Sequence, residues 1–227
     1  MVERGVTARA ALAALVLALL VVPSAAAARE HFYYLDPSRI DLTVLLPPPP
    51  DVASAQARAD EQQVATAVAE RTHSEVSQAE EDAARTVFFY TQSVGPGFTA
   101  QRLPVTAAFF ARIGSDVKQL VDGAKTYWER PRPDGAQKRR GSYPSGHAAF
   151  AAASAIVLAQ LLPAKRDAVF TQARTFAENR ILLGLHYPSD IASGWTAGTV
   201  AAYVMMRDPA FRRDFAAAAA ELRQANP

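Results

Sequence analysis

The stretch from Gly141 to His147 (GSYPSGH) combines a helix start with a titratable side chain. Pro144 restricts φ, and Ser145 is a favourable N-cap for the alanine-rich run that follows. A helix that begins here directs backbone N–H groups and its positive dipole end toward the space in front of it, which suits an anion such as phosphate. His147 falls in the first turn beside that space, where an imidazole can donate a proton to a leaving group. Taken alone, the stretch is equally compatible with an ordinary helix cap and an incidental surface histidine.

Charged and titratable residues recur on both sides of this stretch. Upstream, six residues separate Lys125 from Arg132, which precedes a proline. Downstream, five residues separate Arg180 from His186, and three separate His186 from Asp190. A histidine that attacks phosphorus, a carboxylate that orients its ring and several cations around the phosphate are the parts that phosphoryl transfer needs. Singly, each basic residue would be interpreted as a surface charge, and His186 with Asp190 as a structural pair.

The three stretches together match K-x6-R-P, P-S-G-H and S-R-x5-H-x3-D in that order. The chain therefore resembles the phosphatidate phosphatase type 2 (PAP2) superfamily, which also includes the vanadium haloperoxidases. The segment with Tyr33-Tyr34-Leu35 and the four prolines 47–50 also resembles the start of mature class A bacterial non-specific acid phosphatases. The resemblance runs from about residue 31 to the C terminus and is densest over residues 125–190.

The chemistry of the residues and the resemblance agree on the catalytic roles. We expect the neutral imidazole of His186 to attack phosphorus and to form a phosphohistidine. Asp190 would accept a hydrogen bond from the other ring nitrogen, which fixes the tautomer and stabilises the developing charge. His147 would protonate the leaving alkoxide and later activate water as a base.

The phosphate site is expected to consist of cations and backbone N–H groups. Lys125, Arg132 and Arg180 would neutralise the equatorial oxygens, where most of the catalysis of phosphoryl transfer resides. The N–H groups of Ser145 and Gly146 would complete the cradle.

The sequence departs from the family pattern at two places near this site. Asn179 stands where a serine usually precedes Arg180, and it is a further candidate because its amide could donate to phosphate. Only ten residues separate Pro133 from Pro144, so we expect a tighter loop over the site. Arg130 also precedes a proline and competes with Arg132, but the spacing from the lysine selects Arg132.

Residues 1–28 have the pattern of a secretory signal. Arg4 and Arg9 form a positive start, Ala10 to Val22 is apolar, and small residues follow up to position 28. We therefore expect removal of residues 1–28 and a periplasmic or secreted protein. The chain has no cysteine, so its stability must come from packing rather than from disulfides.

The remaining residues 29–227 are predicted to form one all-α domain, a compact helical bundle of the PAP2/haloperoxidase type with an extended proline-rich N-terminal arm. No stretch shows the alternation of a β-strand. The arm, with its aromatic and leucine residues, is expected to pack across the domain. Helices are predicted over 52–92 with a break near 72–74, from Pro104 to the Arg-Pro pairs, over 148–162, 167–183, from Pro188 through 206, and over 209–225.

Composition excludes several other functions. A net charge of +2 and a single dense basic cluster, at residues 138–140, do not favour a nucleic-acid binder. The apolar runs 148–163 and 191–206 are short for a membrane span, so no membrane association is expected after signal removal. His31 and His73 have no partner at metal-ligand spacing, so neither a metal nor another cofactor is expected.

We therefore expect an exported, metal-independent acid phosphatase that takes small phosphomonoesters and releases inorganic phosphate. Three alternatives use the same anion site: a vanadate-dependent haloperoxidase, a soluble lipid-phosphate phosphatase and a non-catalytic phosphate-binding module. The sequence does not fix the physiological substrate, and it leaves a homo-oligomer open.

Overall fold

The computed structural model describes residues 32–81, 83–135 and 141–227. Across these ranges the chain forms helices and no β-strand, which confirms the all-α class. The predicted signal at residues 1–28 and the basic cluster at 138–140 lie outside the described residues. The helices are α1 (Leu42–Leu45), α2 (Ala55–Glu70), α3 (His73–Glu81), α4 (Thr91–Val94), α5 (Pro104–Trp128), α6 (Gly146–Leu161), α7 (Arg166–Leu182), α8 (Pro188–Met205) and α9 (Pro209–Ala225).

Local signals account for most of these boundaries. Proline occupies the first position of α5, α8 and α9, where its missing N–H has no intrahelical partner to lose. The hydroxyl of Ser145 caps α6 by accepting from the N–H of Ala148 at 3.3 Å. Helix α5 ends at Trp128, where Glu129 takes a left-handed conformation. The C-terminal helices start and end within two residues of the predicted bounds.

The prediction of helix from 52 to 92 is wrong over residues 83–90, between α3 and α4. The break near 72–74 is present, because α2 ends at Glu70 and α3 begins at His73. After α3, the chain instead forms a 3₁₀ turn over Val87–Tyr90, whose first and last residues are buried in the core. Burial of these side chains outweighs the helical propensity of the segment.

Helix α6 lies at the centre of the bundle and packs against α5, α7 and α8. Its alanines are buried on every side, which explains why the helix is apolar all round. None of the described helices combines the length and the apolar character that crossing a bilayer requires.

Two glycines let α8 approach α6 unusually closely. A Cβ added at Gly194 would lie 2.3 Å from the carbonyl oxygen of Ser145, and one at Gly198 would lie 2.0 Å from that of Ala149. Since side chains at these positions would clash with the α6 backbone, the glycines allow the two helices to meet. This contact brings Asp190, at the start of α8, next to the start of α6.

The N-terminal arm packs on the bundle, as predicted. The buried carboxylate of Asp116 in α5 accepts the backbone N–H groups of Tyr33, Tyr34 and Leu35 at 2.7–3.0 Å. Further along, the carbonyl of Pro47 accepts from the hydroxyl of Tyr143 at 2.5 Å. The arm is therefore held at both ends, and its second contact adjoins the loop that leads into α6.

Candidate active site

The three sequence stretches meet where α5 and α7 end and where α6 and α8 begin. The end of α5 and the loop after it supply two cations, the last turn of α7 supplies another, and the first turns of α6 and α8 supply a histidine and a carboxylate. The second histidine lies in the connection between α7 and α8. The residues brought together in this way are Lys125, Arg132, His147, Arg180, His186 and Asp190, four of which are at most 8% exposed.

Both ring nitrogens of His186 have a defined neighbour: one is hydrogen-bonded to a carboxylate, and the other faces a cation. Its Nδ1 donates to Oδ2 of Asp190 at 3.2 Å. The lone pair is therefore on Nε2, which lies 3.2 Å from Nη1 of Arg132. Burial lowers the pKa of His186 to about 4, although Asp190 acts in the opposite direction. The imidazole is thus neutral above about pH 4 and has the protonation state of a nucleophile.

Asp190 remains ionised despite its complete burial. Burial alone would raise the pKa of its carboxyl, but the contacts with His186 and Arg130 and the N–H of Tyr187 together hold that pKa below its ordinary value. The N–H of Tyr187 donates to Oδ2 at 2.9 Å, and Nη1 of Arg130 donates to Oδ1 at 2.7 Å. Both carboxylate oxygens are thereby fixed, and the tautomer of His186 with them.

His147 is partly buried among cations on the other side of the site. Its Nε2–H donates to the carbonyl of Ala83 at 3.1 Å, which leaves Nδ1 as the atom that can exchange a proton. Burial, followed by the charges of Arg180 and Arg85, lowers the pKa of His147 to about 2. A bound phosphate would offset those charges and raise this pKa, so the ring can become an acid only when the anion is present.

The cations of the site also hold the loops that precede α6 and α8. Nζ of Lys125 donates to the carbonyls of Gly141 and Ser142 at 2.6 and 3.0 Å, and its third hydrogen remains for a ligand. Nη1 of Arg132 donates to the carbonyl of Leu185 at 2.8 Å. Burial, followed by the charge of Arg132, lowers the pKa of Lys125 to about 7.

The lowered pKa of Lys125 predicts a loss of substrate affinity above neutral pH. The ammonium is charged below about pH 7 and becomes neutral as the pH rises through that value. Since a hydrogen bond to a charged group contributes about 1.5–3 kcal/mol and part of the ammonium is already neutral at pH 6.5, KM for a phosphomonoester should rise roughly sevenfold to twentyfold between pH 6.5 and 8.5. Steady-state kinetics across this range measure the effect.

A matched variant separates this effect from the second ionisation of the substrate, which occurs near pH 6. Lys125→Met has no titratable group, so its KM should be high throughout and show no further rise near pH 7. A flat KM in the unmodified enzyme between pH 6.5 and 8.5 would contradict the assignment.

One part of the predicted phosphate cradle is wrong. The N–H of Ser145 does not point to the anion site but donates to the carbonyl of Asp190 at 2.9 Å. This bond follows from the close contact of α6 with α8, which no local pattern reveals. Gly146 and His147 occupy the first two positions of α6, where N–H groups have no intrahelical acceptor. The N–H groups at the very start of α6 are therefore those of Gly146 and His147, beside the hydroxyl of Ser145.

The two competing arginines have different places in the structure. Arg132, selected by its spacing, is the one beside Nε2 of His186. Arg130 contacts Asp190 instead, and its guanidinium lies 4.1 Å from the centre of the Tyr187 ring. Sequence reasoning treated Arg130 only as an alternative to Arg132 and missed this separate position. The available signal was that Arg130 forms an Arg-Pro pair of its own, ahead of the one at Arg132.

Arg85 is a further cation that the sequence did not indicate. Its Nη1 lies 3.2 Å from the position that a Cβ would take at Gly146, at the start of α6. It also lowers the pKa of both His147 and Lys125. Arg85 lies in the connection after α3 and belongs to none of the three stretches, so only the tertiary structure locates it.

The candidate Asn179 lies on the last turns of α7, next to Arg180. It lines a surface cleft of about 680 Å³ together with residues of α3 and of the 3₁₀ turn, among them Glu75 and Phe89. Phe176, one turn earlier on α7, lines the same cleft and lies 5.7 Å from the ring of His147, measured between ring centres. Asn179 therefore lies in a cleft that extends to Phe176, the neighbour of His147.

Known proteins share both the family pattern and the activity class. The PAP2 superfamily model matches residues 104–214. A non-specific acid phosphatase from Providencia stuartii is 26% identical over 204 residues, which cover 82% of each chain. An acid phosphatase from Zymomonas mobilis is 29% identical over 150 residues, 60% of this chain and 56% of the relative. A non-specific acid phosphatase from Salmonella typhi is 32% identical over 97 residues, 43% of this chain and 39% of the relative.

One solved structure with a similar fold is the transmembrane PAP2-type phosphatidylglycerolphosphate phosphatase from Bacillus subtilis. The superposition covers 68% of this chain and 87% of that chain, at 21% sequence identity and a TM-score of 0.48. This similarity is too low to bear on the site. The family match contains every residue from Lys125 to Asp190 that meets at the site. The match to the Providencia enzyme extends beyond it over most of the chain. The chain therefore carries a PAP2 superfamily domain over residues 104–214 and is a phosphatase related to the non-specific acid phosphatases.

Proposed function

We propose that this protein hydrolyses small phosphomonoesters through a phosphohistidine at His186 and requires no metal ion. The observation that carries the proposal is the arrangement of the His186 ring. Nδ1–H is bound to an ionised, buried carboxylate, and the lone pair of Nε2 is directed toward Arg132 among further cations. A neutral imidazole with a fixed lone pair beside an anion site is suited to attack on phosphorus.

In the first step the lone pair on Nε2 of His186 forms a P–N bond while the ester P–O bond breaks. The departing oxygen takes the proton on Nδ1 of His147, so the product leaves as a neutral alcohol. Arg132, which donates toward Nε2 before substrate binds, would turn its hydrogen bond to a phosphate oxygen. Asp190 remains an anion and stabilises the positive charge that develops on the ring.

In the second step a water molecule attacks the phosphohistidine. His147, now neutral, accepts a proton from the water, the P–N bond breaks, and the electron pair returns to Nε2 of His186. Inorganic phosphate then leaves, the pKa of His147 falls again without the anion, and the ring releases the proton that it took up when the substrate bound, which restores the starting state.

The charges of the site support an acidic working range. His186 is neutral above about pH 4, and Lys125 is charged below about pH 7. Both conditions hold between these values, where Lys125, Arg132 and Arg180 together can neutralise the transferring phosphoryl group. We also propose, from the pattern of residues 1–28, that the enzyme acts after export to the periplasm or outside the cell.

The proposal predicts metal independence and inhibition by vanadate. After dialysis against EDTA, the enzyme should release phosphate from p-nitrophenyl phosphate at its original rate without added metal. Vanadate should bind at least about a hundredfold more tightly than phosphate, because its five-coordinate form on His186 resembles the transition state. Activity that disappears with EDTA and returns with a divalent ion would overturn the proposal, as would equal affinities for vanadate and phosphate.

The same preparation tests the alternatives. A vanadate-dependent haloperoxidase would oxidise halide with peroxide when loaded with vanadate. A soluble lipid-phosphate phosphatase would prefer phosphatidate to a nucleoside monophosphate. A binding module would bind phosphate and release none from any ester.

A further inference from the structure

Asp60, on helix α2, is a buried carboxylate outside the three stretches and outside the PAP2 match. Its side chain is fully buried, and the carboxylate accepts hydrogen bonds from three other residues. Nη2 of Arg130 donates to Oδ2 at 3.0 Å, the hydroxyl of Ser189 donates to the same oxygen, and Nε2 of Gln56 donates to Oδ1 at 3.2 Å. A buried charge is retained only when it is paired in this way.

Arg130 joins this carboxylate to the catalytic pair. While Nη2 contacts Asp60, Nη1 of the same guanidinium contacts Oδ1 of Asp190 at 2.7 Å. The side chain of Arg130 is 10% exposed, and its plane is fixed by the ring of Tyr187. Only a planar fork with several donors can bridge two carboxylates in one orientation. The contacts therefore run without interruption from Asp60 through Arg130 and Asp190 to His186.

We propose that Asp60 and Arg130 are positioning residues for the phosphatase reaction, which hold Asp190 in the orientation and charge state that His186 needs. The inference rests on the proposed function of His186. It assigns part of the catalytic apparatus to α2, which precedes the matched PAP2 region and carries no family pattern.

The alternating charges of the chain of contacts explain how Asp60 acts at a distance. His186 gains positive charge during attack, and the negative carboxylate of Asp190 stabilises that charge. The positive guanidinium of Arg130 partly neutralises Asp190, and the negative carboxylate of Asp60 partly neutralises Arg130. Without the negative charge of Asp60, the full positive charge of Arg130 would offset the negative charge of Asp190. Asp190 would then stabilise the positive charge on the His186 ring less strongly. The other titratable and charged groups around His186 would be unchanged: Lys125 from α5, Arg132 from the following loop, His147 from α6 and Arg180 from α7.

The test compares Asp60→Asn with Asp116→Asn. Asp116 is an equally buried carboxylate that holds the N-terminal arm far along α5 from the site. In Asp60→Asn we expect kcat to fall roughly tenfold to a hundredfold, with KM nearly unchanged. This is the loss typically seen when a residue that orients a metal-bound histidine is replaced, and Asp60 would orient the nucleophilic histidine in the same indirect way. The acid limb of kcat should also move to lower pH, because loss of an anion makes His186 a weaker base. Asp116→Asn should reduce stability and leave kcat and its pH profile alone.

A role in packing alone would give a different result. If Asp60→Asn only lowered the melting temperature, with kcat and the acid limb as in Asp116→Asn, the proposal would be overturned. Should Asp60→Asn fail to fold, Arg130→Lys provides a second test, because lysine retains the positive charge but cannot bridge both carboxylates. Arg130→Lys should show the same loss of kcat, and an unchanged kcat in this variant would also overturn the proposal. If turnover survives His186→Ala, the proposed function itself is wrong, whatever the Asp60 variants do.

Discussion

Replacing His186 with alanine should abolish turnover and leave the fold and the phosphate site in place. Removal of a covalent nucleophile costs kcat on the order of 10⁶-fold. The cations Lys125 and Arg132 are held by the carbonyls of Gly141, Ser142 and Leu185 rather than by the imidazole alone, so the variant should still bind phosphate. Initial rates, phosphate titration calorimetry and circular dichroism measure the three properties.

The control is His73→Ala, which removes an exposed histidine on α3. It should leave kcat unchanged. If His186→Ala retained more than about a hundredth of the activity, His186 would not be the nucleophile, since the residual rate would far exceed that of a site without its attacking group.

Replacing His147 should slow the enzyme according to the leaving group. General acid catalysis contributes roughly 10²–10⁴-fold, so His147→Ala should lose that factor on alkyl phosphates, whose alkoxides need a proton. The loss should shrink toward the p-nitrophenyl ester, because p-nitrophenolate departs without one. A plot of log kcat against leaving-group pKa, expected to be steeper in the variant, measures the effect.

A second substitution separates proton transfer from packing. His147→Gln can still donate to the carbonyl of Ala83, because its amide nitrogen takes the place of the Nε2 that makes this contact now, but it cannot transfer a proton. It should show the same dependence on the leaving group as His147→Ala. An equal loss on all esters in both variants would assign His147 a structural role.

The parts of the site that the sequence predicted are those set by local spacing. His186 and Asp190 are four residues apart, and the helix start at Pro188 brings the carboxylate back onto the ring. The N-cap at Ser145 places His147 in the first turn of α6 for the same reason. Proline and capping signals likewise gave the ends of the C-terminal helices within two residues.

The parts that the sequence missed depend on contacts between distant segments. Asp60 and Arg130 are 70 residues apart, and nothing in either neighbourhood indicates that they pair. The N–H of Ser145 was predicted to bind phosphate because a local pattern cannot show that α8 supplies a carbonyl to it. Arg85 reaches the site because the chain leaves helical structure after α3, where composition had predicted that the helix would continue.

Chemical trapping of the phosphoenzyme tests the central claim most directly. The enzyme would be mixed with substrate carrying ³²P, denatured within milliseconds at alkaline pH, where P–N bonds survive, and digested for peptide mapping. We predict a stoichiometric label that is stable to alkali and labile to acid, located on the peptide with His186 and absent from His186→Ala. A label on serine or aspartate, or on the peptide with His147, would contradict the account.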